Sequence, residues 1–597
     1  MRKVHKKTYN IRRVFGEVVR VSPLQFFLQY VLAVVSSVFL GLFIVQLQNV
    51  FDHAAIVVES ASADGVWSLL CSLLILFLYK AGSESLEIAN GYLGNDFYNR
   101  CAAYFLDLYN QNIAKMRAIT FEENDNLKLY RNALTGATSA RGMLHVIMDI
   151  FTLYIPYFLT IIFYLAKQDA SLLAIVPLVA IPIFITNQIK KKNYQRLHKH
   201  TIHPKRKKEE YTKYLSEFPF LKEVRVKEAF RFFYGKYLCA RSEYNKLCLS
   251  TNDQEFMLNL GTKMITLLGF ITILGLLIER LATGAISIGA FGAIFYSLDD
   301  MYSLMEEMLI SRIETYHKGL PALKSFIQFV NGAYTEQGEA TGTAGRIPFK
   351  KMSLESISFI YPNTTRMVLK NISFTIHRND KIAIVGYNGS GKSTLAKILL
   401  GLYSPTEGTI LINDDPGIRS GPQNASVMFQ QFNRYKETVF NNIWISEATG
   451  DESAGEQAKK IASERLRQIN LNHSVHVEDT LDILCAREFG GIDLSGGQWQ
   501  KLATARMLYR DRDFIVLDEP TAEIDPVSES QMFRLFESEM RNRTAIIITH
   551  RMTSIRFCNK IIVLRDGAVD AIGDHETLMK TSDLYYALYH SIEERYH

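Results

Sequence analysis

Cysteine is scarce. The 597 residues hold six, Cys71, Cys101, Cys239, Cys248, Cys485 and Cys558, and no two stand in a CxxC pair. That spacing argues against a disulfide framework and against a cysteine-ligated zinc site. Charge of one sign is equally scarce: 67 lysines and arginines face 61 aspartates and glutamates, for a net charge of +6. The small basic surplus lies in short runs beside apolar stretches and forms no block that would grip a phosphodiester backbone, so nucleic acid is not an expected partner. A signal-peptide cleavage site is missing too. The basic start, Met1 to Arg20, leads into an apolar run from Phe26 without a small-residue cut site, and that run is expected to stay as a helix.

What is abundant is unevenly spread. Hydrophobic residues make up 48% of the chain, but the first half is apolar and the second mixed, which predicts at least two folding units in different solvents. About 20 mostly apolar residues are needed to cross a bilayer as a helix, because lipid offers the backbone no hydrogen-bond partners. Six such runs occur, near Phe26 to Leu47, Val66 to Tyr79, Leu144 to Leu165, Leu172 to Ile185, Leu258 to Ile278 and Ile286 to Met308. The second and fourth are short, and the sixth carries acids at its far end.

Lysine and arginine collect at the N-terminus, between runs two and three (Arg100, Lys115, Arg117, Lys128, Arg131) and between runs four and five (Lys190 to Lys192, Lys205 to Lys208). The loop Gln48 to Gly65 has three acids and no base. Positively charged loops stay in the cytoplasm, so the N-terminus and everything after the sixth run are expected there. The long basic connections have helix-like apolar spacing and are expected to extend the membrane helices into water. The Gly-, Thr- and Ala-rich stretch near 331–346 reads as a linker. The predicted organisation is an all-α membrane domain of six helices over 1–330, that linker, and an α/β P-loop NTPase domain over 347–597.

The NTPase expectation rests on three strand ends. Lys381 to Val385 is a fully apolar strand that runs into Gly386-Tyr387-Asn388-Gly389-Ser390-Gly391-Lys392-Ser393-Thr394. Glycines in such a loop let successive N–H groups curl round phosphate, Lys392 reaches the outer phosphates of ATP, and Ser393 can ligate Mg²⁺. Phe514 to Leu517 is a second apolar strand, ending in Asp518 and Glu519. Asp518 is placed to hold Mg²⁺, and Glu519 to orient or deprotonate the attacking water. Ala545 to Thr549 is a third, followed by His550, suited to touch the γ-phosphate or to position Glu519.

Leu494-Ser495-Gly496-Gly497-Gln498 stands just before the second strand and resembles the signature of the ATP-binding cassette (ABC) superfamily. The resemblance implies that Ser495, Gly496, Gly497 and Gln498 close over ATP bound to an opposite cassette. It also implies an adenine-stacking role for Tyr361, a γ-phosphate-sensing and Mg²⁺-contacting role for Gln430, and a dimer-interface role for Asp525, although Glu523-Ile524 departs from the common Ala-Leu pair. Six helices fused to one cassette look like a half-size exporter of the type I ABC fold, a multi-pass protein of a cell membrane, bacterial in type. Such a chain works with a second copy of itself or a close half-transporter. In that family short cytoplasmic helices couple the cassettes to the membrane domain, and Glu122 to Leu134 and Leu215 to Lys227 are the candidates here.

The stretch Arg487 to Gln500, with Trp499 after the signature, looks most like exporters of lantibiotics and related modified peptides. Peptide cargo is therefore expected, with lipid or amphipathic drug as the alternative and an ATP-gated channel or sensor as a third reading. The segment before Phe26 is too short for the cysteine protease domain of leader-cutting exporters. Asp299, Asp300, Glu306 and Glu307 either face a cationic cargo or pair with basic helices, and Lys263 either snorkels or pairs.

Overall fold

The computed structural model describes residues 10–60, 63–332, 349–415, 425–447, 455–469, 480–521, 526–549 and 555–593. The chain divides into two compact units, Met1–Ala114 with Lys128–Gly332, and Lys115–Leu127 with Ala333–His597.

The first unit is helical. Its elements are α1 (Ile11–Val21), α2 (Pro23–Ser60), α3 (Ala63–Ala114), α4 (Asn124–Asp149), α5 (Ile155–Gln168), α6 (Ile175–Ser216), α7 (Phe218–Val226), α8 (Phe230–Ala282), α9 (Ile288–Glu306) and α10 (Ile313–Asn331). A π-turn, Ile150–Tyr154, joins α4 to α5. All six apolar runs fall in helix. Among the described residues, four helical stretches are long and apolar enough to cross a membrane: Pro23–Glu59, Ala63–Ala114, Asn126–Gln168 and Phe256–Ala282. The fourth run belongs to a shorter apolar helix, Ala170–Ile185, and the sixth is diluted by Asp299 and Asp300. At 52 and 53 residues, α3 and α8 are about 80 Å long at 1.5 Å per residue, well beyond the hydrocarbon thickness. They extend past any bilayer, as the basic connections predict.

The helices pack through small residues and local polar locks. Ala290, Ala293 and Leu277 are fully buried beside Tyr157 and Ile273. A Cβ on Gly289 would lie 2.3 Å from the Gln48 carbonyl oxygen, so glycine lets α9 approach α2. There Asp52 accepts from the Gly289 N–H at 2.8 Å and from the Ser287 hydroxyl at 3.0 Å, placing a carboxylate at the positive end of α9. The acids at the end of α9 find partners. Glu306 lies 3.6 Å from Lys263, whose ammonium also sits over the Tyr302 ring, and Glu307 accepts from Arg312 at 2.7 Å. Lys263 is thus a pairing residue.

Among the described residues the second unit holds nine strands: β1 (Lys351–Ile360), β2 (Met367–His377), β3 (Lys381–Gly386), β4 (Glu407–Ile412), β5 (Ala425–Met428), β6 (Phe514–Asp518), β7 (Thr544–Ile548), β8 (Lys560–Arg565) and β9 (Ala568–Gly573). One sheet is antiparallel, ordered β2-β1-β4; the other is ordered β5-β6-β7-β3-β8-β9 and is parallel except for β9. Helices α11 (Lys392–Leu399), α12 (Val439–Trp444), α13 (Glu456–Ile469), α14 (Gly496–Tyr509) and α15 (Pro526–Met540) accompany it. Strands β6 and β7 are buried at every position, which is why they read as unbroken apolar runs. Parallel strands bring their C-terminal ends to one edge, where ligands bind in such folds.

Residues Lys115–Leu127 belong to this second unit, whereas the sequence places them inside 1–330. Ile119 packs on the core around Phe359 and Tyr403, and the Tyr403 hydroxyl donates to the Glu122 carboxylate at 2.5 Å, with Lys397 3.9 Å from the same oxygen. The linker residues 333–346 lie outside the described residues.

Candidate nucleotide site

The loop between β3 and α11 is shaped by glycines. Gly389 and Gly391 have φ of +82° and +99°, in the left-handed region that side chains disfavour. A Cβ on Gly391 would also strike Leu369 at 2.6 Å. The Lys392 ammonium, 7% exposed, donates to the carbonyls of Gly386 at 2.8 Å and Tyr387 at 3.0 Å. The lysine therefore holds its own loop in shape. Burial pushes it below the usual ammonium range, against the pull of Glu519 and Asp518. Such a group is held ready for an anion.

Asp518 and Glu519 leave the end of β6 with different fates. Asp518 is 7% exposed, and its Oδ1 is buried without a hydrogen-bond partner. Burial raises its carboxyl above the usual range, opposed by a hydrogen bond from Ser393. An orphaned carboxylate oxygen beside a serine hydroxyl fits a hard divalent cation. Among the described residues no group of three His, Cys, Asp or Glu could hold a metal. Glu519 is held at φ +49°, a costly setting for a non-glycine residue, while its N–H donates to the Ile548 carbonyl at 2.9 Å. The Gln430 amide donates to Glu519 Oε2 at 2.7 Å, so the glutamine at the end of β5 meets the acid at the end of β6.

Tyr361 follows β1. Its hydroxyl lies 3.0 Å from the Thr394 hydroxyl, and its ring stands edge-on to Phe359 and Tyr403. The Tyr361 hydroxyl is thereby tied to the helix that follows the glycine-rich loop. Ser495 caps α14 in a reciprocal box: its hydroxyl accepts from the Gln498 N–H at 3.3 Å, and the Gln498 side chain accepts from the Ser495 N–H at 2.9 Å. That arrangement fixes the signature turn as a helix N-terminus. His550 and Asp525 lie outside the described residues. One residue that motif reading passed over is Gln500. It is 2% exposed and donates to the Pro520 carbonyl at 2.7 Å, strapping the signature helix to the turn that carries Glu519. The signal was a polar residue in the middle of an otherwise apolar helical face.

Trp499 is 4% exposed and sits in a core with Met428, Leu502 and Met532. Its conversion to alanine is expected to cost about 3–5 kcal/mol, as large-to-small core changes do. Urea unfolding of the purified chain, followed at the cassette's transition, measures this.

Residues 369–522 match the family model described as ABC transporter. The nisin transport ATP-binding protein of Lactococcus lactis is 37% identical over 244 residues, covering 40% of this chain and 40% of that protein. The subtilin transport ATP-binding protein of Bacillus subtilis is 36% identical over 242 residues, 40% of this chain and 39% of that one. An ATP-dependent lipid A-core flippase of Chromobacterium violaceum is 30% identical over 321 residues, 53% of this chain and 52% of that protein. The chain thus spans about two fifths to one half of the length of these relatives in the aligned stretches. A solved bacterial Atm1-family ABC exporter with ATP bound superposes with a TM-score of 0.77, covering 97% of this chain and 99% of that one at 17% identity. The chain has the fold of that ABC exporter, with helices before an α/β cassette, and resembles half-size exporters, lantibiotic transport proteins among them.

The pH dependence of the site follows from Asp518. Its carboxyl is raised, so it protonates at a higher pH than an ordinary carboxylate, and the protonated form cannot ligate a cation. Affinity for ATP in the presence of Mg²⁺ is expected to fall as pH drops through that raised range, and an Asp518→Asn variant should bind weakly and lose the part of the pH dependence that this carboxyl contributes. Equilibrium binding of a labelled ATP analogue across pH tests this.

Proposed function

We propose that the chain is one half of an ATP-hydrolysing exporter that moves a modified peptide out of the cytoplasm. The observation that carries it is the convergence of Lys392, Asp518, Glu519 and Gln430 on one sheet edge in a chain whose other unit is built of membrane-length helices. On ATP binding, Lys392 exchanges the carbonyls of its own loop for outer phosphate oxygens. Ser393 and Asp518 would hold Mg²⁺, which when bound neutralises phosphate charge. Glu519, oriented by Gln430, takes a proton from the water that attacks the γ-phosphorus, and ADP leaves with the bridging oxygen. Ser495 and the glycines after it are the anion-binding end of a helix, suited to close on ATP held by a second cassette. His550 and Asp525 are assigned the γ-phosphate and interface roles that the family resemblance implies.

A second copy, or a close half-transporter, completes the assembly. In α7, Phe218 is 70% and Val226 85% exposed, apolar side chains left open on a nine-residue helix. The nisin and subtilin relatives support peptide as cargo; the flippase relative supports lipid as the alternative. ATP-dependent uptake of a labelled basic peptide, against a labelled lipid, into inside-out vesicles separates them. Peptide uptake that disappears in Glu519→Gln is expected, and lipid movement alone would reverse the cargo assignment.

A further inference from the structure

Within the helical unit, α2, α3 and α4 with its π-turn enclose a cavity of about 320 Å³, in the size range of small-molecule sites. Glycine makes the room: a Cβ on Gly91 would meet nothing within 4 Å, and one on Gly94 would strike the Gln29 amide at 2.7 Å. The wall is polar. Gln29 is 6% exposed, its Oε1 lacks a hydrogen-bond partner, and its amide donates to the Tyr98 hydroxyl at 3.4 Å. Asn90 Oδ1 is buried and also without a partner. Asp149 closes the wall, 3.0 Å from Arg312, which in turn donates to Glu307 at 2.7 Å. His145 Nδ1 lies 3.5 Å from Asp149 Oδ1. Buried acceptors without donors are expensive in a helix bundle unless something supplies the hydrogen bonds.

We propose that this cavity is a cargo subsite for a primary ammonium group, such as a lysine side chain of the exported peptide. The acidic residues at the end of α9 do not line this cavity. Instead, Asp149 supplies the charge, while Gln29 and Asn90 accept the remaining N–H groups. The proposal rests on the export reading for its cargo but not for its test.

The probe is a short glycine peptide with one lysine, blocked at its N-terminus and fluorescently labelled, compared with the same peptide acetylated on the lysine Nζ. Anisotropy reports binding to the nucleotide-free chain in lipid nanodiscs. Acetylation should weaken binding to the wild type about tenfold or more, the scale of hydrogen bonds to a charged group. Asp149→Asn, which leaves Arg312 paired with Glu307, should erase that preference, and Gly91→Leu should weaken binding of the charged peptide by filling the cavity. Equal binding of both peptides to the wild type, binding of neither, or a preference surviving in Asp149→Asn overturns the subsite. The wild-type comparison decides even if a variant misfolds. Uptake measured in parallel keeps the two ideas apart: transport without charge preference removes only the subsite, and charge-selective binding without transport removes only the export reading.

Discussion

Glu519→Gln is expected to cut ATP hydrolysis by about 10²–10⁴-fold, the usual contribution of a positioned general base, while leaving ATP binding within a few-fold of wild type. The carboxylate is the acceptor for the Gln430 amide at 2.7 Å, and a glutamine of the same shape can keep a hydrogen bond there while losing the ability to take a proton. Asp518 cannot substitute. It is buried, its carboxyl is raised, and a hydrogen bond from Ser393 directs it to the loop side. The backbone of Glu519 sits at φ +49°, so the fold tolerates local strain to aim this one side chain, a pattern found at reacting groups. Phosphate release gives the turnover, and retention of labelled ATP on the nanodisc-bound chain gives the binding. Hydrolysis at the wild-type rate would remove Glu519 from the reaction.

The phosphate loop and the two strand ends were legible because their physics is local. A fully buried parallel strand must be apolar throughout, and a loop that wraps phosphate must contain glycine at left-handed positions such as Gly389 and Gly391. The signature turn was legible for the same reason, since Ser495 and Gln498 form a capping box three residues apart. What depended on distant pairing was hidden. Glu122 meets Tyr403 across 281 positions, and no periodicity in either segment announces it; contacts alone group Lys115–Leu127 with the second unit. Hydropathy marked the apolar run of α3, Val66 to Tyr79, and the apolar spacing of the basic connection after it pointed to the continuing helix, which runs to Ala114, because helices leaving a bilayer keep hydrogen bonding after the apolar run stops. Trp499 illustrates a motif whose reading changes with context: beside the signature it suggests a family of cargoes, yet its ring is spent on core packing. Gly91 and Gly94 look like weak helix positions until the space they open, and the Gln29 amide they admit, are seen together.

A chain with Lys392→Ala and a chain with Gly497→Asp are each expected to be inactive as ATPases alone and to recover activity when reassembled together. If each ATP is held by the phosphate loop of one copy and the signature helix of another, every site in either pure assembly carries one defect. In the mixed pair, one site collects both defects and the other collects none. Random mixing of equal amounts makes half of the pairs mixed, each with one of two sites intact, so activity should return to about a quarter of wild type in a closed twofold assembly. The two substitutions act on separate parts. Lys392 loses a buried ammonium that holds the carbonyls of Gly386 and Tyr387 and would meet phosphate. Gly497 stands at the N-terminus of α14, where an added carboxylate would repel the same phosphate from the other side. Phosphate release from the unfractionated equal mixture of the two chains measures the recovery. A mixture as inactive as its parents would show that the signature of one copy does not serve the ATP of another, and would direct the search to a different half-transporter as the partner.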